Sequence, residues 1–233
     1  MIDIIRTSVS RPGILKKSHE SFLQRVHYSG EFRFLLHEDV IKNEESIRCC
    51  NWAKENGYEV SVHYPPIGQG GSMCTLIDLV QTEFYLTLED DWEFLRDIDL
   101  DPVEKLMKNN LDINQITWHK RPVMDHKGNF QKVHIVRDGI DLVVSPHWNM
   151  LPSLCRLSFI KPFFKDAIDG IDPNFNWTLN AKIKGLPHTT TPLMRDHEWV
   201  QQNMGTYFFG KHGEETFIFH LGGGFSVREG QYK

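Results

Sequence analysis

The stretch Phe84-Tyr85-Leu86-Thr87-Leu88-Glu89-Asp90-Asp91-Trp92 decides how the chain is read. Its first five residues are apolar or β-branched, as expected of a buried strand. They run without a spacer into three adjacent carboxylates. Neighbouring carboxylates repel one another, and a strand that delivers them at its C-terminal end places them where open α/β sheets hold ligands. A bound cation would neutralise them. A solvated acidic turn is the competing reading.

Upstream, strand and helix signals alternate. Ile2 to Val9 reads as a buried strand, and Pro12 opens a helix whose apolar face is Ile14, Leu15, Phe22, Leu23 and Val26. Phe32 to Leu36 is the second strand. A helix carrying Ile47, Cys50 and Ala53 follows and stops at Gly57, and Tyr58 to His63 is the third strand. A loop, Pro65-Pro66-Ile67-Gly68-Gln69-Gly70-Gly71, precedes a helix marked by Met73, Leu76, Ile77 and Val80, and the acidic strand is the fourth. This is the pattern of βαβ units on a mainly parallel sheet.

Downstream the alternation loosens. Asp101-Pro102-Val103-Glu104 has the form of a helix start, and Ile113 to Trp118 of a strand. Val133 to Arg137 and Ile140 to Val144, joined by Asp138-Gly139, predict a hairpin. Leu151 to Phe159 reads as a helix that Pro162 ends, Asp172-Pro173 opens another that ends near Gly185, and Glu215 to His220 is a short strand running into Leu221-Gly222-Gly223-Gly224. No repeat or linker divides the chain, so residues 1–233 are expected to form one domain.

With 26 Lys and Arg against 31 Asp and Glu, the net charge is −5, and no basic cluster exceeds Lys16-Lys17. A nucleic-acid partner is therefore not expected, and an anionic ligand would need a metal or a helix N-terminus. A hydrophobic fraction of 40% argues against disorder, and no apolar run approaches the roughly 20 residues of a membrane span. The start, Met1 to Arg6, shows no targeting signal, so the expected compartment is the cytoplasm. Cys49, Cys50, Cys74 and Cys155 lack metal or redox spacing and read as buried thiols.

Thr7-Ser8-Val9-Ser10-Arg11-Pro12 after the first strand, Asp39 past the second and Glu89-Asp90-Asp91 after the fourth together resemble glycosyltransferases of the GT-A fold, in particular family 2-like enzymes. The first element is similar to the family's Thr-x-x-Asn-Arg-Pro opening, with Ser10 at the Asn. The triplet is similar to its DxD motif, with Glu89 at the first Asp. The resemblance implies an α/β, Rossmann-like three-layer sandwich with a mixed, mainly parallel central sheet. It also implies a nucleotide-binding half, 1–95, and an acceptor-side half, 96–233. The implied activity is inverting transfer of a sugar from a nucleotide-diphosphate-sugar donor to a saccharide hydroxyl, supported by Mn²⁺ or Mg²⁺.

On the same resemblance Asp91 is the direct metal ligand, and Glu89 and Asp90 orient the ribose, the metal's waters or the donor sugar. Asp39 faces the nucleobase, and Thr7 and Arg11 line the nucleotide cleft. Gly70, in the glycine-rich loop, brings backbone amides to the donor. For Asp39 a turn role competes, and for Arg11 that of a solvated helix start. Asp172 matches the Asp of the family's catalytic-base motif, with Asp169 and Asp166 in reserve, although an Asp before Pro is also an ordinary N-cap. His220 resembles the late metal-binding His of some GT-A enzymes, against a structural role at a strand end. Trp92, Trp118, Trp148 and Trp177 are candidates to stack on an acceptor sugar, with Trp92 and Trp148 favoured. A nucleotidyltransferase acting on a sugar phosphate and a non-catalytic nucleotide- or carbohydrate-binding domain are the rival readings.

Overall fold

A computed structural model describes residues 1–118, 134–145, 148–164, 183, 202–211 and 214–221. The first strand, β1 (Ile2–Ser8), leads into α1 (Pro12–Arg25), the short β2 (Val26–His27) and β3 (Phe32–Asp39). Then come α2 (Asn43–Glu55), β4 (Tyr58–His63), α3 (Gly68–Leu79) and β5 (Phe84–Glu89). The later elements are β6 (Trp92–Phe94), β7 (Ile98–Asp99), α4 (Leu100–Asn109), β8 (Gln115–Thr117), β9 (His134–Arg137), β10 (Ile140–Val144), β11 (Ser153–Arg156), α5 (Leu157–Phe164), β12 (Thr206–Phe209) and β13 (Ile218–His220).

The central sheet runs β4-β3-β1-β5-β11-β8-β12-β10-β9. It is mixed, and its first four strands are parallel. The order grows from β1 through β3 to β4 on one side, and β5 then joins β1 on the other. The strand order therefore reverses between β1 and β5, which makes the C-terminal ends of these two strands the switch point.

Side-chain alternation on β3 separates the layers. Leu36 packs with Leu15, Cys49, Ala53 and Tyr58 under α1 and α2. Arg33 and Asp39, on the opposite face, reach Leu79 and Ile67 at the two ends of α3. The carbonyl of Phe164 at the end of α5 accepts from the Cys74 thiol, so α3 and α5 share that second layer. The core runs continuously from Ile2, Ile4 and Ile5 through Leu86 and Leu88 to Ile116, Leu154 and Tyr207. On the α1 face, buried Arg6 donates from Nη1 to Ser18 Oγ at 3.0 Å, and Ser18 in turn bonds the Trp92 carbonyl.

Several local expectations are corrected. Leu23 and Ile47 are exposed, and their helices instead bury Ser18, His19 and Ser46. The helix expected at Asp101 starts two residues earlier, because Asp99 caps it by accepting the Asp101 amide. The stretch read as a helix from Leu151 forms β11 first. Ser153 to Arg156 pair with β5 on one side and β8 on the other, and α5 begins only at Leu157 and includes Pro162. The hairpin forms as expected, with Asp138 and Gly139 both at positive φ. Cys49, Cys50 and Cys155 are buried free thiols, and Cys74 is half-buried.

Candidate active site at the ends of β1, β3 and β5

Strand register assembles the site. Ser61 of β4, His37 of β3, Thr7 of β1 and Glu89 of β5 are successive neighbours across the sheet, so their side chains share the face covered by α3. Asp39 lies two residues beyond His37 on that face and pairs with His63. The glycine-rich segment expected as a loop is instead the first turn of α3, entered through Gly68 at φ +72°. That turn crosses the strand ends. The Ile67 amide donates to Asp39 Oδ1 at 3.1 Å, and the Gln69 side-chain amide donates to Glu89 Oε1. Gly70 is buried in the same turn.

Glu89 closes β5, and its other oxygen accepts the Trp92 indole N–H at 3.0 Å. Asp90 and Asp91 follow, and both meet Arg11, the N-cap residue of α1. The guanidinium donates through Nε (3.0 Å) and Nη2 to Asp90 and through Nη1 to Asp91 Oδ2 at 3.0 Å. The Val9 amide also donates to Asp90. Arg11 is therefore a counter-charge to the triplet, and not a solvated helix start. Burial opposes its charge, but Asp90 and Asp91 outweigh that and hold its pKa above the ordinary value.

One arginine does not balance three acids. Burial, and then the charges of Asp91 and Asp90, push Glu89 up to about 7 despite the Trp92 bond and Arg11. Burial pushes Asp90 up to about 6, against the pull of Arg11. β13 carries a third kind of ligand into this group. His220 pairs with Trp92 across β13 and β6, its ring lies edge-on to the indole at 4.7 Å, and the Leu221 amide bonds the Asp91 carbonyl. His220 Nε2 is 3.2 Å from Asp91 Oδ2. Ligand atoms of Glu89, Asp91 and His220 all lie within 4.8 Å of one another. Asp91 Oδ1 is buried and has no hydrogen-bond partner among the described residues. Two carboxylates and an imidazole gathered this closely, with an orphaned oxygen on one of the carboxylates, fit a divalent cation.

Asp39, expected just past its strand, is the last residue of β3 and is buried. Burial raises its pKa, but His37 and the Ile67 amide outweigh it and bring the value below the ordinary one. Ser10, at the position of the family's Asn, has φ +50° and is held by neighbours that the sequence did not point to. Its amide donates to Glu38 Oε1 at 2.6 Å, and its hydroxyl meets Ser46 and the amides of Ile41 and Lys42. Trp92, Trp118 and Trp148 are at most 3% exposed, and Trp148 stacks on Phe159, so none of the three presents a platform for a sugar. Asp166, Asp169, Asp172, Trp177 and Gly222 to Gly224 lie outside the described residues.

His37 and Gln69 were also missed. For His37 the available signal was alternation continuing through His37-Glu38-Asp39, beyond the point where the apolar run of the strand stops.

No protein-family model matches the chain, and no curated protein is similar to it in sequence. Solved structures do match. TarS 1-349 from S. aureus superposes with a TM-score of 0.57 at 9% identity, covering 95% of this chain and 60% of TarS 1-349. The same protein in complex with UDP-GlcNAc gives 0.51 at 10% identity, covering 97% and 62%. Mannosyltransferase PcManGT from Pyrobaculum calidifontis, in complex with GDP-Man and Mn²⁺, gives 0.55 at 9% identity, covering 89% and 56%. The chain thus spans about three-fifths of these structures' lengths. Among its described residues no helix is long and apolar enough to cross a membrane. With its mixed α/β architecture and an acidic triplet at the β1/β5 switch point, the chain has a GT-A-like glycosyltransferase fold.

Proposed function

We propose that the chain is a metal-dependent glycosyltransferase that moves a sugar from a nucleotide-diphosphate-sugar to a saccharide hydroxyl, with inversion at the anomeric carbon. The observation that carries this reading is the close gathering of Glu89, Asp91 and His220, in which Asp91 keeps a buried Oδ1 that has no partner among the described residues. Those three residues would hold the cation, which when bound supplies Lewis-acid stabilisation of the departing diphosphate. UDP-GlcNAc in one structural neighbour and GDP-Man with Mn²⁺ in another support a donor of this class.

Each residue has a role in this reading. Arg11 pins Asp90 and takes one charge from the triplet, which leaves Asp91 Oδ1 presented. Thr7, Asp39 and the turn at Gly70 line the nucleotide side, within residues 1–95. Residues 96–233 receive the donor sugar and acceptor. Asp172, or Asp169 beside it, takes the proton of the acceptor hydroxyl as its oxygen attacks the anomeric carbon. The bond from that carbon to the diphosphate breaks, and its electron pair leaves with the diphosphate.

Calorimetric titration with UDP-, GDP- and dTDP-sugars, with Mn²⁺ and with EDTA, tests the assignment. Metal-dependent binding of at least one donor is expected, and no binding of any would overturn it. Asp172→Asn is expected to abolish turnover and preserve donor binding. An active variant removes Asp172 as the base, and binding without turnover in the wild type makes the chain a binding domain.

A further inference from the structure

Trp92 adjoins the acidic triplet but belongs to none of the roles above, because a side chain only 3% exposed cannot stack on a sugar. Its indole, its ring and its backbone each meet one of the three candidate ligands. The indole N–H donates to Glu89 Oε2 at 3.0 Å. The ring lies edge-on to the His220 imidazole at 4.7 Å, because the two residues are direct partners across β6 and β13 and their side chains leave the same face of that ribbon. The backbone continues into Asp91, whose carbonyl accepts the Leu221 amide at 2.7 Å.

The residue is itself anchored from the interior. Its carbonyl accepts the Ser18 hydroxyl of α1, and Ser18 Oγ accepts in turn from buried Arg6 Nη1. Its ring is part of the core that holds Phe22, Phe94 and Ile218. Glu89 has a second donor in Gln69, but Gln69 is exposed and water competes for that bond, whereas the indole N–H is shielded. A carboxylate offers about four acceptor positions, so one N–H on each oxygen leaves both oxygens able to ligate a cation. What the indole removes is the freedom of Glu89 to turn away. A buried indole N–H needs an acceptor, so the same bond satisfies Trp92 and holds Glu89.

We propose that Trp92 is a positioning residue for the cation: its N–H fixes the Glu89 carboxylate and its ring fixes the His220 imidazole, so that both meet the ion beside Asp91 already aligned. This rests on the metal-dependent reading above, and it adds the residue that aligns the ligands. Removing the outer partner of a metal ligand costs about 10- to 100-fold in affinity.

Two replacements separate the N–H from packing. Trp92→Phe removes the N–H and part of the ring. Benzothienylalanine, introduced at position 92 by nonsense suppression, puts sulfur in place of the N–H and keeps the ring's shape. Calorimetric titration with MnCl₂ and no nucleotide reads the ion directly, beside a thermal melt of each metal-free protein. The sulfur isostere is expected to raise the Mn²⁺ Kd about tenfold at a melting temperature close to that of the wild type. Trp92→Phe is expected to weaken Mn²⁺ at least as much and to melt earlier. An isostere that binds Mn²⁺ as tightly as the wild type overturns the proposal, as does a wild type that binds none. An isostere that loses affinity only together with melting temperature makes Trp92 a packing residue and overturns it too. In ¹⁵N-tryptophan protein without metal, the Trp92 indole resonance, identified by its absence from Trp92→Phe, is expected to move in Glu89→Gln, and a resonance that stays in place overturns the contact. Donor titration tells this inference from the functional reading. A Mn²⁺ site weakened by the isostere, in a protein that binds no UDP-, GDP- or dTDP-sugar, sinks the transferase and leaves the placement standing. Mn²⁺-dependent donor binding with an unaffected isostere does the reverse.

Discussion

Acid–arginine clusters sit at both ends of β1, and they differ in how completely they are closed. At the start of the strand Asp3 is fully buried and meets Arg33 through both oxygens, at 2.8 and 2.9 Å. The amides of Gln81 and Thr82 add to Oδ2, and Arg33 spends a further hydrogen on the Leu79 carbonyl. Each oxygen is bonded, and Arg33 answers a single buried anion, with the exposed Glu59 3.9 Å away at the rim. At the far end one arginine answers two aspartates with a glutamate alongside, and Asp91 Oδ1 has no partner among the described residues. The first arrangement is what a structural ion pair needs in order to offset its desolvation. The second leaves a surplus of charge and an orphaned acceptor inside the fold, which folding alone does not reward. Composition cannot separate the two, but counting donors against acceptors does.

The sharpest way to break this comparison is to exchange the roles. Asp91→Asn should lower transfer on the order of 10³-fold, the equivalent of about 4 kcal/mol of lost leaving-group stabilisation. Mn²⁺ affinity should fall with it. Folding should be preserved or slightly improved, because one of three crowded negative charges is gone. Turnover and Mn²⁺-dependent calorimetry, set beside a thermal melt, check this. Retained metal binding would show that Asp91 is not a ligand. Asp3→Ala should do the reverse. It strands Arg33 and two amides, so about 3 kcal/mol of stability should disappear in urea denaturation while Mn²⁺ affinity stays within twofold. A loss below about 1 kcal/mol would mean that the closed cluster is not a structural pair.

The asymmetry was half legible in the sequence. The parallel half of the sheet follows from period-two strands alternating with helix faces, and the acidic triplet stands out because three like charges at a strand end need a reason. Arg11 was noticed, but its two partners lie about 80 positions away and meet it only after β1 and β5 pair. His37 and Glu38 stayed hidden because β3 outlasts its apolar run, so its last turn of alternation is written in polar residues. The later half resisted for a different reason. Ser153 to Arg156 form a strand because β5 and β8 flank them, and a short apolar run fits a helix or a buried strand equally well until such neighbours choose. Thr206 to Phe209 make β12 on the same terms, between β8 and β10.

The surplus charge at the triplet also sets how stability responds to pH. In metal-free protein Glu89 is raised to about 7 from an ordinary 4.5, chiefly by burial and then by Asp91 and Asp90, and Asp90 is raised to about 6. Between about pH 4.5 and 7 the folded chain therefore binds more protons at this end than the unfolded chain, and stability falls as pH rises through that window. Glu89 is half-buried, so solvent screening cuts its share to about 1 kcal/mol. A bound cation reverses the slope, because the carboxylates must shed their protons to ligate it and its stabilisation grows as they do. Urea midpoints at pH 5 and pH 7 should thus move down in EDTA and up in Mn²⁺. Glu89→Gln should flatten the EDTA slope between pH 6 and 7 and leave the part due to Asp90 below it. A slope unchanged by Glu89→Gln would place the surplus elsewhere, and the contrast between the two ends of β1 would then rest on the orphaned Asp91 oxygen alone.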